Sequence, residues 1–279
     1  MTNAPPRLTD RATLARNRAR TTPDALFLHE IAADQIDDRL QMVKRSFRDI
    51  AIVTGQPEFW AARFPAATVV ADDETLDLPR EAFDLVLHAM ALHWANDPVG
   101  QLVQARHALR PDGLCLSVAF GGQTLAELRA VLAEAETRLM GGLSPRVAPM
   151  LEIRDAGSLL QRAGLNLPVA DTEKLTVSYA DMLGLLRELR QMGEANALAA
   201  RDRRIPPRTL FAEAARLYHD RFPDADDPAR IHATFELVHL SGWAPDGSQP
   251  KPLRPGSATT RLADALGTGN RDDSQRDRD

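Results

Sequence analysis

Thr68 to Phe120 reads TVVADDETLDLPREAFDLVLHAMALHWANDPVGQLVQARHALRPDGLCLSVAF, and its punctuation decides the fold. Two apolar runs, Thr68–Ala71 and Phe83–His88, carry the branched and aromatic residues that suit strands. An acidic pair and a Leu-Pro turn separate them. Asn96 or Asp97 caps a helix entered at Pro98, whose missing N–H costs nothing at that position. Leu102, Val103, Ala105 and Leu109 then recur at helical spacing. Arg110-Pro-Asp-Gly113 is turn chemistry leading into a third apolar run, Leu114–Phe120. Short strands alternating with helices predict an α/β fold with a parallel, doubly wound sheet.

Upstream, Leu26, Ile31, Ile36, Leu40, Val43 and Phe47 form a helical stripe that leads into a first strand, Ile50–Val53. Pro57 then opens a helix with Phe59, Trp60 and Phe64 on its buried face. The first 23 residues hold Arg7, Arg11, Arg16, Arg18 and Arg20. Asp10 and the helical spacing favour a solvated first helix over an Arg-rich transit segment. Downstream, Thr124-Leu-Ala-Glu127 reads as a capping box for a helix running to about Leu139. A helix over Glu152–Ala163, a strand over Lys174–Tyr179, helices over Met182–Met192 and Arg208–Arg221 and a strand over Ala233–Leu240 follow. This divides the chain into a basic helical segment (1–24), a main domain (25–262) with a helical insertion at about 180–222, and a charged, disordered tail (263–279).

A formal charge of −5 gives no global attraction to nucleic acid or to an anionic membrane. The single cysteine, Cys115, excludes an internal disulfide and a thiolate metal cluster, and its apolar strand makes it a core residue. No apolar run reaches the roughly 18–20 residues of a membrane span. A reducing cytoplasm fits these features.

Ala71-Asp72, Leu76, Leu78-Pro79, Phe83-Asp-Leu-Val86, His93-Trp94, Asp97 and Leu109-Arg-Pro-Asp-Gly113 resemble class I S-adenosylmethionine (SAM)-dependent methyltransferases. Their Rossmann-like sheet has seven strands, and the matching stretch supplies the third, fourth and fifth. Phe120-Gly-Gly-Gln-Thr-Leu-Ala-Glu-Leu-Arg129, Gly141-Gly-Leu-Ser-Pro145, Met192-Gly-Glu-Ala-Asn196, Gly242-Trp243 and Arg254-Pro-Gly-Ser257 narrow the resemblance. They point to the branch of the malonyl carrier-protein O-methyltransferases and the mitochondrial complex I assembly factor 5 proteins, with the second the better match.

The resemblance implies SAM as cofactor and a protein or carrier-bound substrate, a complex I subunit being one such protein. Two alternatives come with it: a cofactor-free assembly or chaperone factor, and an arginine hydroxylase of such a subunit. It also implies a glycine-rich loop under the methionine carboxylate, an acidic residue on the ribose and an Asp near the adenine. Thr54-Gly55-Gln56-Pro57 keeps only one of the glycines. Between Gly55 and Asp72 there is room for one helix and one strand, since a full crossover takes at least roughly 10–12 residues. One early βα unit is therefore expected to be missing.

The cofactor-binding candidates are Gly55, Asp72, Asp73, His88 and His93. Asp72 corresponds to the adenine contact if Thr68–Ala71 is the third strand; if it is the second, Asp72 or Asp73 reaches the ribose. A solvated strand end is the bland alternative. His93 and Trp94 stand at the edge where ligands bind open sheets, or pack structurally. Gly121-Gly122 lets a loop approach a ligand or turns the chain. Arg146 and Arg154 read as water-facing rather than substrate-holding, and Asp84 as structural. No His-x-Glu-x-x-His or iron triad is present, so no metal is expected. Methyl transfer rests on positioning and shielding, so no catalytic residue is named.

Overall fold

The computed structural model describes residues 7–250. The chain separates into two units, Met1–Pro245 and Asp246–Asp279. In the second, the Asp246 side chain accepts hydrogen bonds from the Ser248 backbone and hydroxyl. The tail predicted over 263–279 and the Arg254–Ser257 block lie outside the described residues.

The first unit is built on a six-stranded sheet of order β2-β1-β3-β4-β6-β5. The strands are β1 (Ile50–Thr54), β2 (Thr68–Ala71), β3 (Phe83–Ala89), β4 (Leu109–Phe120), β5 (Asn166–Tyr179) and β6 (Ile231–Trp243). The first four run parallel, as the alternating pattern predicts. β6 lies antiparallel to β4, and β5 antiparallel to β6. Asn166 pairs with Trp243 and Tyr179 with Ile231, so the strand leaving the helical insertion retraces β5 and makes the sheet mixed.

β2 pairs directly with β1, Ala51 opposite Thr68 and Thr54 opposite Ala71. Thr68–Ala71 thus takes the place beside the first strand. The sheet has one strand fewer than the seven of the resembled fold, because the link from β1 carries only one short helix, α3 (Pro57–Arg63).

The other helices are α1 (Arg11–Arg18), α2 (Phe27–Met42), α4 (Pro98–Ala108), α5 (Ala126–Met140), α6 (Ile153–Arg162), α7 (Met182–Gln191) and α8 (Arg208–Arg221). One face of the sheet packs Leu85 and Leu87 against Leu28, Trp60, Leu128, Leu185 and Leu217 of α2, α3, α5, α7 and α8. The other packs Val86 and Cys115 against Leu102 of α4 and Leu160 of α6. Strands covered on both faces explain the near-continuous apolar runs. Burial pushes the Cys115 thiol up to about 12, in keeping with a core role.

Local expectations fail where a tertiary partner outbids a local one. The Pro-Asp-Gly turn is absorbed into β4 as a bulge: Phe83 pairs with Leu109, but Leu85 already pairs with Leu114. Asp112 takes a left-handed φ of 59° there. Asp97, not Asn96, caps α4, accepting from the Gly100 N–H at 2.8 Å. The capping box does not form. Thr124 exchanges hydrogen bonds with the Glu236 backbone, and Glu127 accepts from the Thr234 N–H and hydroxyl. α5 starts instead behind Leu125, with no side-chain cap.

Candidate functional site

β1, β2 and β3 end side by side in Thr54-Gly55, Ala71-Asp72 and Ala89-Met90, the edge where open α/β sheets receive ligands. Over this edge lies α1, which is not the solvated helix its arginines suggest. Leu14 packs with Trp94, Ala197 and Leu198. Arg11 and Arg18 converge on Asp72, itself 4% exposed. Arg11 donates to both carboxylate oxygens, at 3.1 and 3.2 Å, and to the Asp72 carbonyl at 2.7 Å. Arg18 donates to Oδ1 at 2.7 Å. Burial by itself would raise the Asp72 carboxyl; Arg18 and then Arg11 outweigh it and hold the group well below the usual carboxylate range.

Gly55 belongs to the same cluster. A Cβ there would stand 2.0 Å from the Arg18 guanidinium carbon, so the missing side chain makes room for an arginine. The helix that follows begins with Pro57, which offers no N–H to an anion. Asp73 lies at the surface, touched by Arg11 at 3.7 Å. The groups that SAM binding requires of this edge are therefore missing or covered: Asp72 is buried under Arg11 and Arg18, and the space above Gly55 holds a cation. These residues do not fit the cofactor as they stand. Arg18 Nη2 nevertheless is buried without a hydrogen-bond partner. A cavity of about 1010 Å³ also opens beside Gly55, with Gln56, Glu58 and Phe59 on its walls.

The two histidines are held apart by different partners. His88 Nε2 bonds Gln101 Oε1 at 2.7 Å, and Gln101 donates to the Asp73 carbonyl at 2.6 Å, so His88 positions the acidic turn indirectly. Burial lowers its pKa. His93 is fully enclosed and turns to Glu194, 3.3 Å away; its Nδ1 accepts from the Phe120 N–H at 3.4 Å. Trp94 Nε1 donates to the same Glu194 oxygen at 2.7 Å. Burial would raise Glu194, but His93, Arg18 and Trp94 together bring it down, so it is ionised. Glu194 lines a cavity of about 190 Å³ with Trp94, Leu125, Leu128 and Phe211.

Arg146, on the same cavity, does not face water: it donates to both oxygens of buried Glu136. Arg154 is exposed. Asp84 accepts from the Arg48 and Asp49 backbone, a structural use. Gly121 and Gly122 leave room for the Glu236 and Glu152 carboxylates, so the pair serves a tight turn. Among the described residues no three His, Cys, Asp or Glu side chains cluster in a way that could hold a metal ion.

Arg11, Arg18 and Glu194 are the site residues that the sequence reading does not select. Glu194 stood within the Met192–Asn196 block that carried the resemblance, the one signal available for it.

Residues 29–117 match the methyltransferase domain family. Over that stretch the chain resembles a methyltransferase domain, as its motifs implied. Over 200 residues the chain is 39% identical to the mitochondrial arginine-hydroxylase NDUFAF5 of Rattus norvegicus, covering 72% of this chain and 57% of that one. The malonyl-acyl-carrier protein O-methyltransferase of Methylovorus sp. is 31% identical over 199 residues, covering 69% of this chain and 64% of its own length. The chain thus spans less than two thirds of the curated relatives it matches. Among solved structures, the YcgJ protein of Bacillus subtilis aligns with a TM-score of 0.48 at 10% identity, over 76% of this chain and 98% of that one. The matched residues contain Gly55, Asp72, Asp73, His88 and His93; Arg11, Arg18 and Glu194 lie outside the match and reach back over this edge.

Proposed function

We propose that this chain uses a methyltransferase fold to bind and assemble a protein partner without SAM. The observation that carries the reading is the pairing of Arg11 and Arg18 with Asp72, which puts the Arg18 guanidinium over Gly55. A carboxylate buried under two arginines is closed off from a ribose in this arrangement. The partner proposed is a protein subunit, and the resemblance names a subunit of respiratory complex I. No helix among the described residues is long and apolar enough to cross a membrane. The compartment proposed is the cytoplasm, although the arginine-hydroxylase relatives are named as mitochondrial. Isothermal titration with SAM tests the reading. No heat at millimolar cofactor is expected; binding at micromolar concentration overturns it.

A second reading is SAM-dependent methyl transfer to a protein or carrier-bound acceptor. Two observations favour it: the unpartnered Arg18 Nη2 and the cavity beside Gly55. In it, Arg18 would be the residue that holds the methionine carboxylate, through its unpartnered Nη2. SAM, when bound, supplies the methyl cation equivalent. Under this reading Arg18→Ala abolishes SAM binding that the parent chain shows; under the first, neither chain binds.

A further inference from the structure

α7 and α8 leave an apolar groove between them. Leu183 and Leu186 from α7 and Phe211, Ala212 and Ala215 from α8 line a cavity of about 440 Å³. The positions are spaced three and four apart, so each helix turns one stripe toward the groove. Leu183 is 53% exposed, and Ile205, just ahead of α8, is 94% exposed. Scattered exposed leucines need no explanation; a trough lined from two helices is an interaction surface.

The rim has a sign. Arg208 lines the groove itself. Arg187 and Arg190 stand four and seven residues after Leu183, on the same side of α7, and are exposed. None of these three has an ion pair or hydrogen bond to a described side chain. Elsewhere on α8 the arginines are neutralised: Arg216 by Glu213 and Asp220, and Arg221 by Glu134. The helix pair balances its charges toward α5 and leaves three cations around the trough. In a chain of net charge −5 that local excess selects a partner of opposite sign. On α8 the lining runs from Arg208 to Ala215, about 11 Å, which matches two turns of a docked helix.

We infer that the α7–α8 groove docks an acidic amphipathic helix of a partner protein. Its apolar face lies on Leu183, Leu186 and Phe211, and its Asp and Glu flanks meet Arg187, Arg190 and Arg208. The inference concerns where a partner binds and does not depend on whether the SAM edge is closed.

Fluorescence anisotropy on the full chain tests it with three labelled peptides of about 16 residues. One is a Leu/Glu amphipathic helix, one a scramble of it, and one its Leu/Lys counterpart. The Leu/Glu helix is expected to bind at micromolar concentration, at least tenfold tighter than the other two. Arg187→Glu with Arg208→Glu is expected to reverse the order of the acidic and basic helices. Leu183→Asp is expected to weaken both; all these sites are exposed, so melting temperatures should hold. Three equal affinities, an unreversed order in the double variant, or a dimer in sedimentation that Leu183→Asp dissociates would each overturn the proposal.

Discussion

At the scale of single residues, charge and burial have been set against each other and the pairings decide the outcome. Asp72 is tolerated in the interior only because two guanidiniums face it. Asp72→Asn removes the buried counter-charge that both cations share, leaving Arg11 only the exposed Asp73, and the loss expected is about 3 kcal/mol, read from urea unfolding at neutral pH. The carboxyl pKa is lower in the folded chain than in the unfolded one. The stabilisation is therefore complete above the ordinary Asp value of about 3.9 and fades as the pH drops below it. The gap between parent and variant should close in acid and stay constant from pH 5 upward; a gap that persists in acid would show that the pairing is not its source.

His29 gives a second, separate window. Its Nδ1 accepts from Trp60 Nε1 at 3.1 Å, and burial brings the ring down to about 4, with Glu194 opposing. Unfolded histidine takes up a proton near pH 6.5, and the folded ring does not until about pH 4. Stability should fall across that interval on acidification, by about 3 kcal/mol from this group. His29→Gln keeps an acceptor for Trp60 and should flatten the acid slope by that amount. An unchanged slope would assign it to His239, which burial also lowers to about 4.

Among elements, the strands and most helices were legible from periodicity and punctuation. Pro57, Pro98 and Asp97 start helices where read, and Arg208–Arg221 spans α8 end to end. What was not legible is whatever depends on a partner far along the chain. Arg11 and Asp72 are 61 residues apart, and His93 and Glu194 are 101 apart. No local spacing announces either pair. Gly55 looked like the remnant of a cofactor loop because a glycine that clears an arginine and one that clears a ligand are the same letter. The capping box is the sharpest case, since Thr124 and Glu127 satisfy the local pattern yet serve β6. Thr124→Ala should cost about 1–3 kcal/mol, because it strands the buried Glu236 N–H. Thr124→Ser should recover most of that. Thr124→Asp, a good helix cap, should not, because it buries an unpaired carboxylate where Thr124 is 1% exposed. Rescue by Asp would restore the capping-box reading.

Across the whole molecule, the edge of the parallel strands is roofed by two segments far apart in the chain, around residues 9–18 and 195–201. Thr9 and Leu198 form an antiparallel bridge. The Asp10 N–H donates to the Ala197 carbonyl at 2.8 Å, and Asn17 Nδ2 to the Ala195 carbonyl at 2.9 Å. Arg201 donates to Asp10 and Thr13 from the other side. Leu14 supplies the apolar contact under this frame, against Trp94, Ala197 and Leu198. α1 is therefore tied to residues 195–201 as well as to Asp72, and α1 and that segment should open as one cooperative unit. Leu14→Asp places a charge at that contact. Hydrogen exchange read by mass spectrometry should then speed up in residues 9–18 and 193–201 together, while β3 and β4, buried on both faces, keep their protection. Faster exchange in 9–18 alone would mean that α1 is a separate flap. A common rise that includes β3 would mean that roof and sheet unfold as one body.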